Sequence, residues 1–425
     1  MKIKNKLLLL IIITIFSILI FQHPSYAQSF DSELYSEAAI LIDSNTGKIL
    51  ASKNANEKMY PASTTKILTA ILALENLQLS DKLTASYSAV MSIPSGYSNA
   101  AIQVGESLSV ADLLDLFLIH SANEAGFILA EGVSGNINNF ADLMNKKVSE
   151  LGCLNTHFTN PSGIHDENHY STAYDMALIA KYCMKNSNFR DIVSKESCRI
   201  AATDKYEERY FVNTNDLIRQ KSKYYYPYAI GIKTGYTKQA RNCLISASSK
   251  DGLELIAVVL SAGTTSAGES ERYLDSVNLF NYGFSNYKIE QICSSNTVQK
   301  EIIVQNATKD TKNLELLSKD NINALMPSDI STESISPSIE LNENITAPIA
   351  KDTVLGKITY NIDGEVYSSD LIASHDVEKS NLLILIGQII LAILVLLILV
   401  KLLSFKGKNK NKKSKNSNSI YKFKL

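Results

Sequence analysis

Two apolar segments near the ends of the 425-residue chain decide what the rest of it can become. The first, Leu7–Phe21, follows Lys2, Lys4 and Lys6 and runs on to "SYA" before Gln28. A basic start, an apolar run of about 15 residues and small residues at a cleavage position make a secretory signal peptide, residues 1–27, cut after Ala27. The run is short for the roughly 20 residues that a membrane-crossing helix needs. The second segment, Leu382–Val400, is broken only by Gly387 and Gln388. At about 1.5 Å per residue it nearly crosses a hydrocarbon core of roughly 30 Å. Lys401, Lys406, Lys408, Lys410, Lys412, Lys413 and Lys415 follow it, and a lysine-rich flank stays on the cytoplasmic side. The expectation is a single-pass protein of the cell membrane, its folded part extracytoplasmic and a short basic tail inside.

The formal net charge is −1, so a strongly basic tail leaves the exported part acidic. Nucleic-acid binding then loses its main electrostatic support, and no nucleic-acid partner is expected. The tail serves orientation and contact with anionic lipid heads. About 350 residues remain between the ends, enough for two domains of ordinary size. Cys153, Cys183, Cys198, Cys243 and Cys293 are far apart, odd in number and without a C-x-x-C pair. They give neither a disulfide framework nor a metal site, although one bridge stays open.

From Ala38, "AAILIDSNTGKILASKNAN" alternates apolar and polar residues around the turn "DSNTG", which predicts a β-hairpin. Helical patterns follow: Ser63 to Leu77, then "VADLLDLFLIHSANEAGFILAEGV", then "NINNFADLMNKKVSELG" with Gly152 as C-cap. Thr172 and Asp175 mark the start of the helix in "MALIAKYCM". "YAIGIKTGYT", "RNCLISASS" and "LELIAVVLSAG" predict strands, and Glu269 to Tyr282 a helix over one face. Opening and closing strands with helices between them suggest one antiparallel sheet covered by helices. After about Lys288 short alternating runs predict a small β-rich module, with "DISTESISPSIELNENI" as its loop or linker.

The chemistry concentrates in three short strings. In "YPASTTKILTAIL", Lys66 lies one helical turn after Ser63, on the same face. A serine hydroxyl at the positive end of a helix needs a base within reach to attack a carbonyl. Lys66 can be that base if burial and neighbouring cations lower its pKa. "HSANEA" adds Ser121 and Asn123, two small polar groups in an apolar pattern, which an N-cap or an interhelical loop would also explain. "GIKTGYT" adds Lys233, Thr234 and Gly235 on a strand, where glycine lets a substrate backbone lie close as an added strand. Each string alone is weak, since S-x-x-K arises by chance and Ser or Thr before a helix is an ordinary cap.

Together, in this order, S-x-x-K, S-x-N and K-T-G are the motif set of class A β-lactamases and penicillin-binding proteins. With "FTNPSGIHDENHYSTAYDMALIA", the chain resembles the low-molecular-mass penicillin-binding proteins, the serine-type D-alanyl-D-alanine carboxypeptidases. The resemblance implies an α+β fold: a serine β-lactamase/penicillin-binding-protein-like domain (antiparallel sheet flanked by helices), a small β-rich domain and one C-terminal transmembrane helix. The corresponding boundaries are 28–290, 291–375 and 382–404, with the basic tail at 405–425. By the same resemblance Ser63 is the nucleophile, which forms an acyl-enzyme with the penultimate D-alanine of a peptidoglycan stem peptide. Lys66 is its base, Ser121 a proton relay to the leaving amine, and Asn123 holds Lys66 and the substrate amide. Lys233 and Thr234 anchor the substrate end. The backbone N–H groups of Ser63 and Tyr236, beside Gly235, form the oxyanion hole, and Arg272 binds the terminal carboxylate. β-Lactams are implied inhibitors and no cofactor is implied. His157, His165 and His169 lack H-E-x-x-H spacing and belong to the "NPSG" loop region, so no metal is expected.

Two alternatives remain at this level: a β-lactamase, and a non-catalytic membrane-tethered β-lactam sensor or wall-binding protein. Ala122 stands where β-lactamases usually carry Asp, and Glu124 and Glu131 are expected on exposed helix surface, so no carboxylate is assigned to activate a deacylating water. Endopeptidase action would use the same residues as carboxypeptidase action.

Overall fold

The computed structural model describes residues 33–415. The expected signal peptide and the end of the basic tail lie outside the described residues. The chain divides into two compact units: one runs to Ile289 and includes Leu325–Ile330, the other comprises Glu290–Ala324 and the residues from Ser331 onward.

In the first unit, β1 (Ala38–Asp43) and β2 (Ile49–Lys53) form the expected hairpin, and β3 (Ala229–Thr237), β4 (Arg241–Lys250) and β5 (Leu253–Ala262) close the domain. They make one antiparallel sheet in the order β2-β1-β5-β4-β3, in which Ala39 faces Val259 and Thr234 faces Leu244. The strand carrying K-T-G is therefore a sheet edge. All six residues of β1 are buried, so it lacks the expected polar alternation. Ala38, Ile40 and Ile42 enter one core with α1 (Lys66–Asn76), α2 (Asn123–Ser134) and α3 (Ala173–Cys183), while Ala39 and Leu41 enter a second core with Leu279 and Phe280 of α4 (Glu271–Asn286). A strand covered on both faces has no solvated side to be polar. Each buried Leu, Ile or Phe contributes about 1.5–3 kcal/mol, so this interior strand anchors both layers.

Local signals set the helix ends. The Thr172 hydroxyl accepts from Asp175 N at 3.0 Å, capping α3, and Gly152, at φ +80°, follows the helix Ile137–Glu150. Two expected helices differ in detail. Ser63 lies in a 3-10 turn, Ala62–Thr65, and α1 proper starts at Lys66. The pattern beginning "VADLLDL" breaks in the middle: a helix Val110–Asp115 gives way to a π turn, Leu116–His120, and Ser121 takes φ +71° before α2 begins. Left-handed backbone is unfavourable for a serine. Bonds from Ala122 N to Leu116 O (3.1 Å) and from Asn123 N to Ser98 O (3.0 Å) hold it there.

In the second unit, β6 (Val298–Ile303), β7 (Asn313–Ser318), β8 (Ser338–Leu341), β9 (Val354–Ile362) and β10 (Glu365–Ala373) form an antiparallel sheet ordered β6-β7-β10-β9-β8. Asp363 (φ +49°) and Gly364 (φ +84°) make the two-residue hairpin turn between β9 and β10. The segment expected as a linker is partly strand. Ser338–Leu341 pairs with β9, and only Ile339 and Leu341 turn inward, too short an alternation to outweigh the surrounding Ser, Pro and Asn. Helix α5 (Leu382–Lys415) contains Leu385–Ser404, which is long and apolar enough to cross a membrane.

A buried ion pair braces the loop that leads to the first unit's cleft. Glu106 and Arg209 are 0% and 5% exposed and bonded to each other, and Arg209 also donates to Ala100 O at 3.2 Å. Removing one partner of such a pair leaves a buried charge uncompensated, at a cost of about 3–5 kcal/mol. We expect Arg209→Met to lower the unfolding free energy measured in urea by that amount and Arg209→Met with Glu106→Leu to recover most of it. A single variant as stable as the wild type would show that the pair is not a brace.

Candidate active site

Burial of α1 explains the state of Lys66. From Lys66 to Ala73 every residue of the helix is buried, so the amine at its first position has no water around it. The Lys66 Nζ lies 2.9 Å from Ser63 Oγ, 2.8 Å from Asn123 Oδ1 and 2.8 Å from the Ser162 carbonyl oxygen. Burial drives its pKa well below the usual lysine value, the charge of Lys233 lowers it further, and Glu124 opposes them. A neutral amine donates two hydrogens to the Asn123 and Ser162 oxygens and keeps its lone pair for the Ser63 hydroxyl. Those three partners are what a base for Ser63 requires.

The Ser162 carbonyl was not foreseen, although its motif was. Asn160 Oδ1 accepts from the backbone N–H groups of Ser162, Gly163 and Ile164 at 3.1, 2.9 and 3.1 Å, fixing the "NPSG" turn. Gly163 has φ +75°, and a Cβ there would stand 1.8 Å from Ala62 O, against the turn that carries Ser63. Only glycine allows that approach.

His169, expected as a loop residue, lies in that loop but is buried and braces the same turn. Its Nδ1 accepts from Thr159 N at 3.1 Å, so the proton is on Nε2, which donates to Thr65 Oγ1 at 2.8 Å. Burial takes its pKa down to about 3, which keeps it neutral.

Ser63, Ser121, Asn123, Thr234, Gly235, Tyr236 and Arg272 line one cleft of about 470 Å³, together with Ser95–Ser98, Thr214 and Thr237–Gln239. The left-handed turn at Ser121 delivers Ser121 and Asn123 to this cleft, where a continuous helix would have carried them past it. Asn123 is fixed from the other side, its Nδ2 donating to Ser98 O at 2.8 Å. A Cβ on Gly235 would come within 3.0–3.1 Å of Pro61 O and the backbone nitrogens of Ser63 and Thr64. The glycine thus lets strand β3 pass beside the Ser63 amide.

Lys233 does not line the cleft but lies buried behind it, donating to Thr234 O at 3.0 Å. Burial, and then Arg272, lower its pKa to about 7. The Thr234 hydroxyl donates to Thr214 Oγ1 at 2.7 Å, a partner that no motif marks. Arg272, at the start of α4, donates through Nη1 to Gly235 O and through Nη2 to Tyr273 Oη, each at 3.3 Å. Its Nε is buried without a hydrogen-bond partner.

One expectation is corrected here. Glu124 is 2% exposed, because α2 is packed on all sides through its first two turns. Its Oε1 accepts from Ala100 N at 2.6 Å, and burial raises its pKa against that bond. It supports the cleft loop from behind and does not reach the cleft. All five cysteines are buried and unbridged. Among the described residues no group of three His, Cys, Asp or Glu side chains could hold a metal ion.

Comparison with known proteins agrees with this geometry. A family model described as D-alanyl-D-alanine carboxypeptidase matches residues 24–264, and one described as penicillin-binding protein 5, C-terminal domain, matches residues 287–379. The chain is 36% identical over 362 residues to the D-alanyl-D-alanine carboxypeptidase DacF of Bacillus subtilis, covering 83% of this chain and 89% of that protein. It is 30% identical over 358 residues to the D-alanyl-D-alanine carboxypeptidase DacA of Haemophilus influenzae, covering 82% and 87%. The crystal structure of penicillin binding protein 5 from Haemophilus influenzae matches with a TM-score of 0.63 at 28% identity, over 82% of this chain and 99% of that one.

Proposed function

Because the chain belongs to the D-alanyl-D-alanine carboxypeptidase family of serine peptidases, we propose that Ser63 and Lys66 carry its reaction and that the cleft residues divide the remaining work. The enzyme is a low-molecular-mass penicillin-binding protein that removes the terminal D-alanine of peptidoglycan stem peptides. The observation that supports the assignment best is the Lys66 amine held between Ser63 Oγ, Asn123 Oδ1 and the Ser162 carbonyl.

Neutral Lys66 takes the Ser63 proton as Oγ attacks the carbonyl carbon of the penultimate D-alanine. The oxyanion is held by the N–H groups of Ser63 and Tyr236, each worth roughly 3 kcal/mol. As the tetrahedral intermediate collapses, the C–N bond breaks and Ser121 passes a proton to the leaving amine. D-Alanine departs and an ester remains on Ser63. Water then attacks the ester, and Ser63 recovers its proton as the acyl C–O bond breaks. Arg272, which lines the cleft, binds the substrate's terminal carboxylate beside Thr234. Lys233 acts from behind, its charge helping to keep Lys66 neutral.

A β-lactam enters the same chemistry at Ser63. The leaving amine of a ring-opened β-lactam stays tethered to the acyl group and keeps water from the ester. Among the described residues lining the cleft no carboxylate stands to activate that water, so the adduct persists and the drug inhibits the enzyme. Helix α5 anchors the protein in the cell membrane, with the folded units outside and the lysines after Val400 inside.

Two experiments test these assignments. Intact-mass spectrometry after benzylpenicillin is added should show a lasting adduct on the wild type and none on Ser63→Ala, with Lys66→Ala acylated at least about 100-fold more slowly. Wild-type acylation rates in Lys66→Ala would sink the base assignment. Truncation after Ser380 should move the protein from the membrane fraction to the medium; continued membrane association would remove α5 as the anchor.

A further inference from the structure

The charge of the cleft is one-sided in a way the reaction itself does not require. Among the described residues that line it, the charged ones are Arg272 and Lys238 and none is a carboxylate. Arg272 is committed to the leaving-group end, near Thr234 and the Gly235 carbonyl. Lys238 is exposed and, among the described residues, makes no hydrogen bond or ion pair. It stands just past the end of β3, which is the edge strand of its sheet.

An edge strand receives a peptide as an added strand, so substrate position can be counted along it. Gly235 passes beside the Ser63 amide, which places the scissile carbonyl there. One direction along β3 leads to Thr234 and Arg272, the side of the departing D-alanine. The other leads through Tyr236 and Thr237 to Lys238, the side of the acyl group. Thr237, where β3 ends, is two residues beyond Gly235, about 7 Å by the rise of a strand, and Lys238 opens the turn that follows it. That is the reach of a side chain on the residue preceding the penultimate D-alanine.

We propose that Lys238 forms an anion subsite at the acyl end of the cleft, so that the enzyme favours stem peptides bearing a free carboxylate on the side chain of the residue before D-Ala-D-Ala. The inference rests on the proposed function above and names the substrate class of that site. A meso-diaminopimelate residue has this carboxylate; L-lysine has the same side chain without it. The contact is at the protein surface and is screened by salt, so its effect is modest. It acts equally on ground state and transition state, and therefore appears in KM rather than kcat.

The test measures D-alanine release by the full-length protein from two pentapeptides, L-Ala-γ-D-Glu-X-D-Ala-D-Ala, with X either meso-diaminopimelate or L-lysine. We expect the wild type to favour the diaminopimelate peptide about fivefold in kcat/KM at low salt, through KM, and less at high salt. Lys238→Gln should bring the ratio to about one, and Lys238→Glu should reverse it. Equal kcat/KM for both peptides in the wild type, or an unchanged ratio in Lys238→Gln, would overturn the subsite while leaving the carboxypeptidase reading in place. No D-alanine release from either peptide would overturn both.

Discussion

A lysine amine shut away from water, with three neutral oxygens as its hydrogen-bond partners, is the arrangement on which the rest of this site depends. Lys66 is 0% exposed, and Ser63, Asn123 and Ser162 supply the oxygens, each from a different segment. A direct carboxylate partner would stabilise the ammonium and hold the amine charged. Burial penalises the charged form, and a file of cations reinforces it: Arg272 lowers the pKa of Lys233, and Lys233 lowers that of Lys66. The core helix, the edge strand and α4 thus contribute to one proton equilibrium.

Much of the surrounding structure serves to hold those segments in place. Asn160 shapes the turn that presents the Ser162 carbonyl, neutral His169 ties that loop to Thr65, and Gly163 lets it press on Ala62. Asn123 links Lys66 to the cleft loop at Ser98. Ala62 and Ser121 both hold positive φ, +47° and +71°, and such strain persists only where neighbours over-determine it. Packing around the fully buried β1 provides the rigidity that these constraints need.

The five strands of the first unit's main sheet, the cap at Thr172 and the Gly152 helix end were legible in the sequence, because turn and capping residues act locally; the short strands Lys82–Thr84, Ser107–Ser109, Ser197–Ile200 and Arg209–Val212 were not foreseen. The three motifs were legible too, since their residue types carry their chemistry wherever the fold places them. The break at Ser121 was legible only as one of two readings, an N-cap or interhelical loop beside a continuous helix, since the apolar spacing of "LLDLFLIH" continues smoothly into α2 and the tertiary bonds to Leu116 and Ser98 hold the turn. Glu124 was misjudged for a related reason. A glutamate in a helix is normally solvated, and its burial follows from a loop that is distant in sequence and folds over it. The hydroxyl of Thr214 and the carbonyl of Ser162 carry no signal of their own, because backbone and small polar groups become partners only through position. In the second unit, the strand Ser338–Leu341 was hidden by being short, half-exposed and set among turn residues.

The central claim is that Lys66 is neutral where the enzyme works, and NMR titration of its Cε in protein labelled at lysine ε-carbons measures this most directly, with the resonance assigned through Lys66→Arg. The amine should lose its proton well below the usual lysine value of about 10.4, giving a lone pair for Ser63 near neutrality. A Lys66 that keeps its charge up to that value would contradict the account, and the proton of Ser63 would have to go elsewhere.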